Sequence, residues 1–293
     1  MRENDLTLAS VLYRLSTANA HICTDKAPAT GAVLISAAEF PSRLRLDFRS
    51  VYHETAPMAV EAVVPGSPAA LAGVTPGSGL LAIGDDALPS LPPEGPESMA
   101  LQNAARRALD QADLNLPIIL KLREAGLTIT RTIQPLPACR ASAELLTDSG
   151  LTTQSDDTSI QISATFLLRF SGDALAPLMA HELAHVILHH GQKLTAQHVD
   201  RGLLSGFGRN AALIRATENE ADRLSVHLLA NAGYDPELAV KFWRTEGRKI
   251  YPVILRSPTH GSPSQRAQMM QSEITQMECH IGGCDHGDAA FAP

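Results

Sequence analysis

The sequence predicts an α+β protein in two parts, a mainly β block set into a chain otherwise rich in helices. Three observations predict it. Residues 50–136 consist of short apolar runs punctuated by glycine and proline, the texture of short strands and tight turns. The chain beyond residue 171 has long stretches with apolar residues at helical spacing, bounded by glycine and proline. The 293 residues, 44% of them hydrophobic, suffice for one large domain or two modest ones with a substantial core.

Taken in order, residues 6–22 read as an amphipathic helix rather than a signal peptide, since they lack a compact apolar core and a small-residue cleavage site. TGAVLIS (30–36) is predicted as a short strand, and RLRLDFRSVY (43–52) alternates like another. Within the β block, SPAALAG (67–73) is a short helix, and GSGLLAIGDDAL (77–88) a strand running into a turn. PSLPPEGPES (89–98) is a proline-rich loop, and residues 98–112 have helical periodicity. LPIILKLREAGLTITRTI (116–133) is two strands joined at Glu124, Ala125 and Gly126.

Further on, TSIQISATFLLRF (158–170) is strand-like. Residues 171–191 form a strong helix, with Asp173 as N-cap, Pro177 early enough to be tolerated and Gly191 at its end. Residues 192–208 are loop-like in part. A second helix spans 209–233, stopped by Gly233 and Pro236, and 236–249 is a third.

Charge narrows the partners. A formal charge of −7 argues against nucleic acid or an anionic membrane, both of which reward a basic face. No apolar run approaches the roughly 18–20 residues needed to span a bilayer. Four cysteines, Cys23, Cys139, Cys279 and Cys284, form no CxxC pair; their even number in loop-like settings favours two disulfides and an oxidising compartment over the alternative of four reduced thiols. A metal site at Cys279, His280, Cys284 and His286 matches no common zinc spacing.

The chemistry concentrates in MAHELAHVILHH (179–190), which holds four histidines and a glutamate. His181 and His185 are one helical turn apart and point the same way, so one metal ion can bind both. Glu182 lies about 100° around the axis, placed to reach a water on that ion without ligating it. The apolar flanks LAPLMA and LAHVIL make this a buried helix, and buried polar groups need partners.

A catalytic zinc (Zn2+) site wants a third protein ligand and an open position. In TENEADRL, Glu218 and Asp222 share a helix face at the margin of an apolar stripe. Glu218 can be the third ligand, and Asp222 can accept a hydrogen bond from the free ring nitrogen of a ligand histidine. Glu220 faces elsewhere, towards solvent. His189, His190, His198 and His227 read as structural or surface residues and as no ligands.

Two resemblances follow from these stretches. VVPGSPAALAGVTPGSGLLAIGDDAL resembles a PDZ domain of the bacterial protease type, with Ser78-Gly79 where a Gly-Asp pair is usual. HELAH, then ENEAD, then LLANAGYDP, then SPTHGSPSQR resembles the gluzincin family that contains HtpX and the CAAX prenyl proteases, most closely its soluble members. The resemblance implies a zincin-like peptidase domain built from residues 1–49 and 137–275, a PDZ-like insertion at 50–136 and a tail at 276–293. It implies His181, His185 and Glu218 as zinc ligands, Glu182 as general base, and Asp222 behind a ligand histidine.

By the same resemblance His260, followed by Gly261 where the family has proline, stabilises an oxyanion or occupies the open metal position in a latent state. The strand TSIQISA lies over the cleft and offers its edge to an extended substrate. Cys23 and Cys139, flanking the peptidase halves around the insertion, pair as a disulfide. The implied activity is a zinc metalloendopeptidase acting on protein or peptide substrates, unfolded ones included, in the bacterial periplasm or cell envelope. A competing class is a latent or non-proteolytic, chaperone-like binding protein.

Overall fold

The structure is a computed structural model. It describes residues 2–52, 56–88, 96–146, 150, 153–170, 175–199, 208–250, 259, 261–277, 279–280 and 283–284. The chain forms two compact units, Met1–Tyr13 with Lys26–Ala138, and Arg14–Asp25 with Cys139–Pro293. Helix α1 (Arg2–Ala18) crosses from one to the other between Tyr13 and Arg14.

The first unit is built on an antiparallel sheet. After β1 (Lys26–Ala29) come β2 (Ala32–Ser36), α2 (Arg45–Tyr52), β3 (Met58–Val63), α3 (Pro68–Leu71), β4 (Gly79–Ile83), β5 (Asp86–Ala87), α4 (Ala100–Asp110), β6 (Ile118–Glu124), β7 (Leu127–Ile133) and β8 (Leu136–Cys139). The strand order is β2-β3-β4-β6-β7, with β5 hooked onto β4, while β1 and β8 pair separately. Along β6, Ile118, Leu120 and Leu122 are buried and Ile119 and Lys121 exposed, the period of two that covers one sheet face. That face meets Leu101 and Ala105 of α4.

Two turns explain the connections. Ala125 (φ 48°) and Gly126 (φ 79°) both take positive φ, which suits a two-residue hairpin whose twist matches the strands. Gly31 (φ 77°) passes so close to Ser67, the cap of α3, that a Cβ there would lie 2.2 Å from the Ser67 Cβ.

Residues 43–52 are not a strand. A short 3-10 turn (Ser42–Leu44) leads into α2. Among the described side chains of this helix, Arg45, Phe48 and Tyr52 are buried, at spacings of three and four, and the Phe48 and Tyr52 rings lie 4.6 Å apart on one helix face. Alternation over ten residues misled because Leu44, on the strand pattern, is exposed. The domain boundary moves with it. Of residues 1–49, expected in the peptidase part, Met1–Tyr13 and 26–49 fall in the first unit, where β2 pairs with β3 from Ala32↔Val63 to Ser36↔Met58, and only 14–25 fall in the second.

The second unit starts from the segment 14–25. Arg14 donates to the carbonyls of Ala232 (2.6 Å) and Gly233 (2.7 Å) and stacks on Tyr234. Asn19 donates to the Leu228 carbonyl (3.0 Å), and a Cys23–Cys139 disulfide closes the segment onto the later chain. Next come β9 (Ser142–Leu146), β10 (Thr153–Ser155), β11 (Ser159–Ser163) and α5 (Ala164–Arg169). The sheet order is β10-β11-β9, so TSIQISA supplies the central strand, not an edge; β10 is the edge, antiparallel to β11. The Ser163 hydroxyl caps α5, which turns the second half of that stretch helical.

Helices complete the unit: α6 (Leu175–Ile187), α7 (His190–Ala196), α8 (Gly208–Asn231), α9 (Glu237–Arg244), α10 (Glu246–Ile250) and α11 (Pro263–Gln276). In α6 every residue but His185 is buried. The helix predicted to run to Gly191 ends at Ile187; His189 takes the left-handed conformation, and Gly191 lies inside α7. Asp173, the expected N-cap, lies outside the described residues. Helix α8 stops as expected: Gly233 takes φ 69°, and the Tyr234 N–H closes on the Leu229 carbonyl. The third predicted helix breaks at Thr245 into α9 and α10. Finally β12 (Cys279–His280) and β13 (Gly283–Cys284) pair with Cys279 and Cys284 as register partners.

Candidate metal centre

Helix α6 presents His181 and His185, and α8 brings Glu218 to them. The two Nε2 atoms lie 3.1 Å apart. Glu218 Oε2 is 3.4 Å from His181 Nε2, and Glu218 Oε1 is 3.5 Å from His185 Nε2. Donors about 2.0–2.2 Å from a tetrahedral ion sit about 3.3–3.6 Å from one another, so two imidazoles and a carboxylate at these spacings fit zinc. Among the described residues these three form the grouping able to hold a metal ion.

The electrostatics agree. Burial works to lower the His181 pKa, but hydrogen bonds to Asp222 and Glu218 outweigh it and hold the ring up to about 9. His185, beside it, is pushed down to about 3 by burial and then by the His181 charge. A carboxylate therefore faces two rings that hold one positive charge between them, and a cation can take the place of that proton.

The surroundings orient the donors. His181 Nδ1 lies 3.0 Å from Asp222 Oδ1, which leaves Nε2 for an ion. Asp222 is wholly buried and forks with Arg266, whose Nε donates to Oδ2 at 2.6 Å and whose Nη2 donates to Oδ1. Burial would raise the Asp222 carboxyl, but Arg266 and His181 keep it below its ordinary value. The Arg266 guanidinium in turn stacks 3.6 Å over the Trp243 ring. Glu182 is buried, and the Ser155 hydroxyl on β10 donates to its Oε2 at 2.9 Å. Burial pushes the Glu182 carboxyl above its usual range. Except for the buried Asp222, these groups line a cleft of about 350 Å³ with β10 along one wall and Phe166, Leu178 and Trp243 among its apolar residues.

The structure thus brings together five residues singled out in the sequence: His181, Glu182, His185, Glu218 and Asp222. The sixth, His260, lies outside the described residues, though its neighbour Thr259 lines the cleft. His189, His198 and His227 stand apart from the donors: His189 contacts Thr24, His198 is exposed and His227 pairs with Glu273.

Four contributions escaped the sequence reading. Of the two alternatives for His190, structural or surface, the first holds: it is buried, and the contact that spacing did not display is the one with His185 at 2.9 Å. Glu220, expected in solvent, is half exposed and reaches His190. Ser155 and Trp243 act through strand and helix packing that spacing does not display. His190 was hidden because five residues on a continuous helix lie on different faces.

Comparison with known families agrees with this site in part. Residues 202–274 match Peptidase family M48, a family of zinc metallopeptidases. The matched stretch holds Glu218, Asp222 and Arg266, and the histidine pair lies upstream of it. No curated protein matches the chain.

Proposed function

We propose that the protein is a zinc-dependent metalloendopeptidase hydrolysing peptide bonds of proteins or peptides, and that His181, His185 and Glu218 are its ligands. The observation that carries the reading is the near-tetrahedral spacing of these three donors with Glu182 beside them. A bound zinc ion supplies Lewis acidity, polarising a carbonyl and bringing the pKa of a water towards about 7.

The chain does the rest. Glu182 accepts the water's proton on its carboxylate and hands it to the leaving amine. Ser155 holds that carboxylate in place through Oε2. Asp222 fixes His181 with Nε2 forward, and Arg266 keeps Asp222 ionised. An extended substrate lies along β10, the sheet edge on the cleft, and adds a strand to it. His260, as oxyanion partner or as occupant of the open position in a latent state, remains part of the proposal.

The first unit is PDZ-like in this reading and recruits substrate or gates the cleft. Its support is the chain order of β3, α3, β4, α4 and the β6–β7 hairpin. The compartment we infer is the bacterial periplasm or cell envelope. The Cys23–Cys139 disulfide supports it, and no helix among the described residues is long and apolar enough to cross a membrane.

The test is metal content and cleavage of an unfolded protein. Wild type should hold about one zinc per chain, and Glu182→Gln should keep the metal and stop cleavage. Equal cleavage by both rejects Glu182 as base. Zinc without turnover on any unfolded substrate favours a latent or purely binding protein.

A further inference from the structure

We propose that His190 is a positioning residue for the metal centre: wedged between His185 and Glu220, it locks the tautomer of His185 so that Nε2 is offered to the metal. The inference rests on the ligand set proposed above and extends it to two residues outside that set.

The geometry is a chain of three groups. His185 Nδ1 lies 2.9 Å from His190 Nδ1, and His190 Nε2 lies 3.1 Å from Glu220 Oε2. The His190 side chain is 1% exposed, so water does not compete for its nitrogens. The protons follow from the contacts. A ring that gives its Nε2 lone pair to a cation carries its proton on Nδ1. That proton needs an acceptor, and His190 Nδ1 is the atom facing it. His190 is then protonated on Nε2, which donates to the Glu220 carboxylate. The opposite assignment sets two lone pairs or two N–H groups against each other at 2.9 Å or leaves the carboxylate without a donor. The two ligands are thus oriented differently: His181 leans on the buried carboxylate Asp222, His185 on a neutral imidazole.

The backbone is bent to make this contact. On a continued α6, His190 would stand about 140° around the axis from His185 and about 7.5 Å along it. Instead α6 ends at Ile187, His189 takes φ 52° and ψ 38°, and α7 begins at His190. A left-handed histidine costs free energy, and such strain persists where the surroundings impose it. The break folds the His190 ring edge-on to His185, with centroids 4.8 Å apart. Helix α8 supplies the other end of the relay: Glu220 follows the ligand Glu218 by two residues.

The experiment measures zinc affinity of the full chain by competition with a chelator, alongside the absorption spectrum of the cobalt-loaded protein. His190→Asn keeps an acceptor oxygen near the place of Nδ1 and should bind zinc within a few-fold of wild type. His190→Leu removes the acceptor and should weaken binding about 10–100-fold, with altered cobalt bands. Should His190→Leu fail to fold, nitrogen NMR of zinc-loaded wild type decides, with His190 expected bare at Nδ1 and protonated at Nε2. Wild-type affinity in folded His190→Leu, or a proton on His190 Nδ1 in the zinc form, overturns the proposal. A wild type that binds zinc while His190→Leu does so equally well leaves the ligand set standing and removes only His190. A wild type that takes up no zinc overturns both.

Discussion

At Glu182 opposing effects meet. Burial raises its carboxyl, while the His181 charge first and then the hydrogen bond from Ser155 lower it. A general base works only when ionised, so its pKa sets the acid limb of the pH–rate profile. Ser155→Ala removes a donor to the carboxylate while leaving the buried site in place. The acid limb of kcat/KM on a peptide substrate should therefore move to higher pH than in wild type, with a smaller loss on the alkaline side. An unmoved limb would separate Ser155 from the base. At this scale much of the site is legible in the chain. His181 and His185 declare themselves by a four-residue interval on an apolar helix, and Glu218 and Asp222 by the same interval at the margin of another stripe. What spacing does not carry is the group reached through a backbone break or from a strand. His190 stands behind a left-handed residue, and Ser155 belongs to a three-residue strand whose neighbours are set by sheet pairing.

Among the elements, α9, α10 and α11 form the support under Asp222. Trp243 on α9 is 4% exposed and carries the Arg266 guanidinium on its ring. Gly247 on α10 passes beneath the same indole: a Cβ there would lie 2.4 Å from Trp243 Cε3 and 3.0 Å from Cζ3. Helix propensity alone makes Gly→Ala favourable by about 1 kcal/mol. The packing reverses the sign. The indole must shift to make room, and Gly247→Ala should lower stability by about 1–3 kcal/mol. Urea unfolding measures the loss. Because Trp243 is the one tryptophan of the chain, its fluorescence reports the displacement directly. A stabilised variant with unchanged emission would remove Gly247 from the support. Element type was readable where periodicity ran long, as in α8, and where turn chemistry was explicit, as in the hairpin at Ala125-Gly126. It failed over short runs. Ten alternating residues became α2 because Arg45, Phe48 and Tyr52 bury at helical intervals, and TSIQISATFLLRF split into strand and helix at the Ser163 cap.

The whole chain is organised by one crossing. The second unit is assembled from residues 14–25 and 139–293, and the Cys23–Cys139 bridge joins those segments across a separation of 116 residues that encloses Lys26–Ala138. The later limit of the first unit falls inside β8, between Ala138 and Cys139. Its earlier limit has no local signal: which strand β2 pairs with is decided by β3, more than twenty residues on, and no local pattern displays that partner. The bridge supplies the measurable consequence. For a flexible loop of this length, loss of the cross-link would destabilise by about 4–5 kcal/mol in the chain-entropy model. That figure applies only if the enclosed unit unfolds together with the second. The first unit has its own core of Met58, Val60, Leu80, Leu122 and Ile133. If it stays folded when the second unit opens, the loop is closed by a folded body and the entropic gain from the bridge is smaller. Segment 14–25 is also held without it, by Arg14 on two carbonyls, by Asn19 on Leu228 and by Asn231 on Asn19. The double variant Cys23→Ser with Cys139→Ser should therefore fold and unfold in two calorimetric transitions, with one lowered by less than the full-loop figure and the other unmoved. A single transition lowered by about 4–5 kcal/mol would mean that the two units unfold as one cooperative body.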